Sequence, residues 1–140
     1  MKQSIALFAV ITLIAFHITA AQEPVKKYST DKAKIEFVTK NILSSLKSDN
    51  TGVIESVLRL TTEMRMRYPE ADMTELVKAM NIIKRNHRNG EIRYKAFVAL
   101  SVCENPEWYA RLMENFSGNS DAFFRSAAKV MNDQLLTQAY

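Results

Sequence analysis

The chain has 140 residues, of which 47% are hydrophobic and 24% charged, and its formal net charge is +4. This length predicts a single domain, and so small a charge excess argues against a nucleic-acid-binding protein. One cysteine, Cys103, occurs in the whole chain, which excludes an internal disulfide.

The N-terminal residues 1–21 have the three parts of a secretory signal peptide. Lys2 supplies the positive charge, residues 5–16 form the apolar run, and Thr19, Ala20 and Ala21 are small residues suited to cleavage. A membrane anchor is the alternative, although the run is shorter than the ~20 residues that cross a bilayer. Cleavage would leave 18 basic and 15 acidic residues, a net charge of +3, and a flexible leader at residues 22–29.

Two amphipathic helices are predicted next. Thr30 or Asp31 caps the first, which runs to about Lys47 with an apolar face of Ile35, Val38, Ile42, Leu43 and Leu46. A polar turn at residues 48–52 leads to the second, at residues 53–67. Its broad apolar face comprises Val53, Ile54, Val57, Leu58, Leu60 and Met64.

A third and a fourth helix follow Pro69, and they are predicted to form an antiparallel hairpin. Asp72 and Glu75 resemble a capping box at the start of the third helix, and Gly90 is predicted to end it in a left-handed conformation. The fourth helix carries a stripe of Ile92, Ala96, Ala99 and Cys103. On that stripe, Cys103 is interpreted as a buried hydrophobic residue, with a reactive thiol as the alternative.

Two further helices complete the domain at residues 30–138. The fifth starts at Asn105-Pro106-Glu107 and ends at Gly118, with an apolar stripe of Trp108, Leu112, Met113 and Phe116. The sixth opens at Ser120 or Asp121, and its inner face comprises Phe123, Phe124, Ala127, Ala128, Met131 and Leu135. No segment alternates with a period of two residues, so the predicted fold class is all-α.

The helices repeat in pairs. Ile54 and Leu58, Ile92 and Ala96, and Phe124 and Ala128 are each four residues apart, and they can be superposed at offsets of 38 and 32 residues. Here the chain resembles HEAT-type helical repeats, because arginine follows the anchor at Arg93 and Arg125, whereas Glu55 stands at that place in the first copy. The resemblance implies an α–α superhelix of about three antiparallel hairpins that binds macromolecules on its concave surface. It also implies that Arg93 and Arg125 form hydrogen bonds between hairpins.

Residues that could support catalysis are few. His17 would leave with the signal peptide, so His87 would be the one histidine of the mature chain, and its position on the apolar stripe favours a capping or partly buried role. Glu104 and Glu107 could act as acid and base, but Glu107 also complements a helix N-terminus. No cofactor or metal site is predicted, and an enzyme is the third-ranked class.

Exposed positions on the second helix of each hairpin are the candidate partner-binding residues: Glu55, Arg59, Tyr94, Lys95 and Lys129. Lys84, Arg85 and Arg88 add a basic end near Arg93 and Lys95. These cations either complement the C-terminus of the third helix or bind an anionic envelope surface. Tyr94 and Tyr109 are either interface anchors or core residues, and Trp108 is expected in the core.

The favoured function is that of an exported, periplasmic or secreted, non-enzymatic scaffold that binds a protein or peptide. The alternative is a structural or accessory subunit of an envelope complex. Neither interpretation involves nucleic acid, or an integral membrane span once the signal peptide has been removed.

Overall fold

The computed structural model describes residues 31–139, so the predicted signal peptide and the leader at residues 22–29 lie outside the described residues. Within this range the fold is all-α and no strand is present. The helices are α1 (Asp31–Ser45), α2 (Thr51–Arg67), α3 (Thr74–Asn86), α4 (Gly90–Glu104), α5 (Ala110–Asn115) and α6 (Ser120–Gln138), and a 3₁₀ turn at Pro106–Tyr109 precedes α5.

An asparagine caps the N-terminus of each of three helices, α2, α4 and α6. These are the helices predicted to be second in their hairpins. The side-chain oxygen of Asn50 accepts a hydrogen bond from the Gly52 amide at 2.9 Å, and Asn89 accepts one from Glu91 at 2.8 Å. Asn119 accepts one from Ala122 at 2.9 Å. Each cap satisfies a backbone donor that has no partner inside its helix, and so sets where the helix starts.

Contrary to expectation, Gly90 is not a left-handed residue that separates α3 from α4. It is the first residue of α4, and no described glycine has a positive φ. Extended backbone at His87 and at Asn89 makes the turn instead, and the Asn89 side chain caps α4.

Two other helix ends differ from expectation. The Asp72 carboxylate accepts a hydrogen bond from the Thr74 amide, but Met73 is the residue before α3 and Glu75 pairs with Lys78 rather than completing a capping box. The predicted fifth helix is divided into the 3₁₀ turn and the short α5, which ends at Asn115 rather than at Gly118.

Helix α4 lies at the centre of the packing. It contacts α3 as an antiparallel hairpin, and it also contacts α2, α6 and the 3₁₀ turn. Helix α1 packs on α2 and α3, and α2 reaches α6 directly. These hairpin contacts are compatible with a helical repeat.

The hydrophobic core is formed around α4, mainly by the helices that contact it. Ile92, Ala96, Ala99 and Cys103 of α4 are buried as expected, together with Val98 and Val102 on a second side of the same helix. By contrast Leu135, expected on the inner face of α6, is half exposed, because the last turns of α6 contribute no buried side chain after Met131. None of the described helices combines the length and apolar content that crossing a bilayer requires.

Candidate functional site

The ammonium group of Lys95 gathers carboxylates from three helices. Its Nζ atom lies 2.9 Å from Glu55 Oε2 on α2 and 3.1 Å from Asp121 Oδ1 on α6, and it also donates to Glu91 one turn earlier on α4. Only 4% of Lys95 is exposed. The side chain therefore joins all three second helices at one point.

The expectation that Lys95 lies on an exposed face is therefore wrong. Its position, three residues after Ile92 and four before Ala99, places it beside the buried stripe, where α2 and α6 both approach α4. Glu55, also expected to be exposed, is half-buried because it points at Lys95.

Burial by itself lowers the pKa of the Lys95 ammonium group, because the charged form loses solvent. Hydrogen bonds that the ammonium donates to Glu55, Glu91 and Asp121 outweigh this effect and hold the pKa well above its ordinary value. Lys95 is therefore a fixed positive charge rather than a proton donor at neutral pH.

Arg59, the third residue expected to be exposed, is also half-buried. Its guanidinium donates to the Gly118 carbonyl at 2.6 Å and pairs with Glu63 at 2.9 Å. It also lies 5.3 Å from the ring centre of Phe116 and 5.5 Å from that of Phe123. Arg59 therefore joins α2 to the segment between α5 and α6.

Neither Arg93 nor Arg125 shows the hydrogen bonds between hairpins that the resemblance implied. The Arg93 guanidinium donates to the carbonyls of His87 and Arg88 in the turn before its own helix, at 2.6 and 3.3 Å. Arg125 is exposed and pairs with Asp121 one turn earlier on α6, at 3.1 Å. Side-chain links between distant helices instead include Lys95 with Glu55 and Asp121, Arg59 with the Gly118 carbonyl, and Arg65 with the Cys103 carbonyl.

A groove of about 490 Å³ lies between α4 and α6, over the Lys95 cluster. Tyr94 lines its α4 side and is 47% exposed, so of the two alternatives for this residue the core position is excluded. Arg125 and Lys129 line its α6 side. Lys129 is exposed, as expected, and pairs with Asp133 at 2.9 Å. The structure thus brings Tyr94, Lys95 and Lys129 to one groove.

The basic end at the α3–α4 turn adjoins the same aromatic residues. The Tyr94 and Phe97 rings are 6.5 Å apart, and the Lys84 ammonium lies 6.0 Å from the Phe97 ring centre. Arg85 and Arg88 are exposed. Tyr94 and Phe97 therefore lie between the basic end and the groove.

Two of the candidate reactive residues, His87 and Cys103, lie in the turn before α4 and in the core. The His87 Nδ1 atom accepts a hydrogen bond from the Asn89 amide at 3.1 Å, which supports the turn before α4. Burial raises the pKa of the Cys103 thiol to about 12, so this cysteine is not a thiolate at neutral pH. No group of histidine, cysteine or acidic side chains within residues 31–139 is arranged to hold a metal ion.

Trp108 and Tyr109 differ in their environment. Tyr109 is fully buried, and its hydroxyl shares a 2.6 Å hydrogen bond with Ser101 on α4. Burial raises the pKa of the Tyr109 hydroxyl despite the opposing effect of that bond. Trp108, expected in the core, is only partly buried against it. The 3₁₀ turn therefore packs on the second half of α4, whereas Tyr94 and Phe97 in the first half are exposed.

A larger groove of about 960 Å³ lies between α1 and the segment that joins α2 to α3. Ile35, Tyr68, Pro69 and Ala71 are among its apolar lining, and charged residues of both signs surround them. Sequence reasoning assigned no role to this surface, because the residues that form it are far apart along the chain.

No family model, curated protein or solved structure compared with this chain matches it.

Proposed function

We propose that this chain is an exported HEAT-like repeat protein that acts as a non-enzymatic binding module for a protein or peptide. The repeat interpretation is supported by the asparagine cap shared by α2, α4 and α6, and by the contacts of α4 with both other second helices. In such proteins the second helices of successive hairpins build the binding surface.

The groove between α4 and α6 is the observation that carries the proposal. It joins an exposed aromatic ring, Tyr94, to charged side chains of both signs on α6. Aromatic residues anchor many protein interfaces, and surrounding charges give selectivity. Its floor is rigid, because Lys95 is held by three carboxylates. A rigid floor loses little conformational entropy when a partner binds.

A site-specific photo-crosslinker tests the groove directly. A crosslinking residue is placed at position 94 or position 129 in the expressing cell, and at position 82 as the control. Ile82 is suitable because it is 62% exposed and lies on α3, outside the groove. The proposal expects one discrete protein adduct from positions 94 and 129. Absence of an adduct at both positions, or the same adduct from position 82, would refute the proposed site.

Variants then separate binding from chemistry. Affinity for the crosslinked partner should fall about 10- to 100-fold in Tyr94→Ala/Lys129→Glu, the range for loss of an aromatic anchor with a reversed charge. His87→Ala should leave affinity unchanged once its folding has been verified. Loss of function with His87→Ala alone, in a folded protein, would favour an enzyme instead.

Export is part of the proposal, and it is supported by the signal-like composition of residues 1–21. N-terminal sequencing of the protein recovered from the periplasm or the medium is expected to start near Gln22. Protein that is found in the membrane fraction and still begins at Met1 would favour the anchor instead.

A structural subunit is the second candidate, and the end of α6 favours it. Leu135 and Leu136 are 48% and 62% exposed, side by side at the end of the last helix. Leucines so placed suit a contact with another subunit. Leu135→Ser/Leu136→Ser should then release the chain from its complex in sedimentation, while Tyr94→Ala should not.

A further inference from the structure

Four cations surround the α3–α4 turn: Lys84, Arg85, Arg88 and Arg93. Within the part of the chain that the structure describes, none of them pairs with a carboxylate. The cations of the groove differ, because Lys95, Arg125 and Lys129 each have an acidic partner. The turn therefore has an excess of positive charge that the groove lacks.

The negative end of the α3 dipole does not require all of this charge. A helix C-terminus is equivalent to roughly half an elementary charge. The Arg93 guanidinium already lies at this end, donating to the carbonyls of His87 and Arg88. Arg85 and Arg88 are exposed, and no hydrogen bond of their side chains is found among the described residues. Their charge is available to a partner.

Two aromatic rings lie next to these cations. Phe97 is 41% exposed, its ring adjoins Tyr94, and Lys84 extends over it. Headgroup layers of membranes favour this combination, because phosphates pair with arginine and the interfacial zone accepts aromatic side chains. A free anion would use the cations alone and would leave Phe97 in water.

We propose that the α3–α4 turn binds the surface of an anionic lipid bilayer, with Arg85 and Arg88 at the phosphates and Phe97 in the interfacial zone. This surface adjoins the α4–α6 groove at Tyr94, but Arg85, Arg88 and Phe97 do not line the groove. The proposal does not depend on the function proposed for the groove.

Vesicle co-sedimentation tests the proposal. The protein is purified from the exporting cell, and mass spectrometry verifies that all variants share one N-terminus. Vesicles of phosphatidylglycerol mixed with phosphatidylcholine are compared with phosphatidylcholine alone. Each basic residue at an anionic surface contributes roughly fivefold to partitioning, so Arg85→Gln/Arg88→Gln should bind the anionic vesicles about 25-fold more weakly.

Lys40→Gln/Lys47→Gln is the matched control, because it removes the same charge from exposed positions on and just after α1. It should change binding less than about twofold, since long-range attraction between exposed charges is screened by salt. Phe97→Ser should weaken binding to the anionic vesicles without removing any charge.

Three outcomes would overturn the proposal. The first is equal loss in the two double variants, which would indicate an effect of net charge. The second is binding of the parent protein to phosphatidylcholine alone that equals its binding to the anionic vesicles, which would show that anionic lipid is not recognised. The third is retention by soluble polyglutamate that requires Arg85 and Arg88 but not Phe97, which would favour an acidic protein partner.

Discussion

The Lys95 ammonium on α4 lies 2.9 Å from the Glu55 carboxylate on α2, although the two residues are 40 positions apart in the chain. The same ammonium reaches Asp121 on α6, so one buried cation connects the three second helices. A buried charge is tolerated only when it is paired, and here the pairing fixes how these helices sit against each other.

We predict that Lys95→Met lowers the free energy of unfolding by about 2–4 kcal/mol. Removing one partner of a buried ion pair leaves carboxylates unpaired, and the partial exposure of Glu91 and Asp121 moderates the cost. Urea unfolding provides the measurement. The control is Lys129→Met, which breaks the exposed pair with Asp133 and should cost no more than about 0.5 kcal/mol. Equal midpoints for the two variants would contradict a structural role for Lys95.

Ala96→Asp should destabilise the protein by about 4 kcal/mol or more, because Ala96 is fully buried and a carboxylate there would have no room and no cation of its own. Thermal unfolding followed by circular dichroism is the measurement, and Ala96→Asp should lose its helical signal at a lower temperature than the parent protein. Tyr94→Asp, two residues earlier on the exposed side of the same helix, should stay within about 1 kcal/mol of the parent protein. Similar melting temperatures for both variants would mean that the register of α4 is wrong.

A double-mutant cycle can measure the energy of the Ser101–Tyr109 hydrogen bond. Ser101→Ala and Tyr109→Phe should each cost about 1–2 kcal/mol, since each leaves a buried hydroxyl without its partner. The double variant should cost about 1 kcal/mol less than the sum of the single variants. Strict additivity in urea unfolding would indicate that the two hydroxyls do not depend on each other.

Stability should fall at alkaline pH. The pKa values of Lys95, Cys103 and Tyr109 are all raised in the folded protein, so the unfolded chain loses these protons first. The contribution of these groups to stability is complete below the pKa values that they have in the unfolded chain. It declines as the pH rises above those values, beginning with Cys103 at its ordinary pKa of 9.0. Each group adds a slope of up to about 1.4 kcal/mol per pH unit.

Cys103→Ala is the control for the alkaline transition. It removes the group that titrates first, so the decline should begin nearer 10.0, the ordinary pKa of tyrosine, whatever the variant's overall stability. Urea unfolding between neutral pH and pH 11 measures the onset. An unchanged onset would show that the Cys103 thiol is not responsible for it.

Helical periodicity in the sequence was sufficient to predict the all-α class and most buried positions, since the stripe from Ile92 to Cys103 is continuous. It also contained a signal for Lys95, which has Ile92 three residues before it and Ala99 four residues after it. The general tendency of lysine to lie in solvent outweighs that signal. The three asparagine caps follow a known preference, but neighbouring residues such as Gly90, Ser120 and Asp121 are equally plausible at the helix boundaries from sequence alone.

Other features could not be read from the sequence because they depend on packing between distant segments. The exposure of Leu135 reflects where the buried face of α6 ends, and the helical period continues past that point. The Gly118 carbonyl, which accepts from Arg59, lies 59 positions further along the chain, and Asp121, which completes the Lys95 cluster, lies 26 positions after Lys95. No local pattern specifies contacts across such separations.

The direct contact between α2 and α6, next to which Arg59 donates to the Gly118 carbonyl just before α6, has an evolutionary consequence. In an open array each unit touches only its neighbours, so units can be duplicated in the middle and the array grows longer. Here an added pair of helices between α2 and α6 would separate Arg59 from Gly118. It would also separate Lys95 from Glu55 if it were added before α3, or Lys95 from Asp121 if it were added after α4. Variation in length is therefore expected at the two ends of the domain, and its middle should keep a constant number of helices.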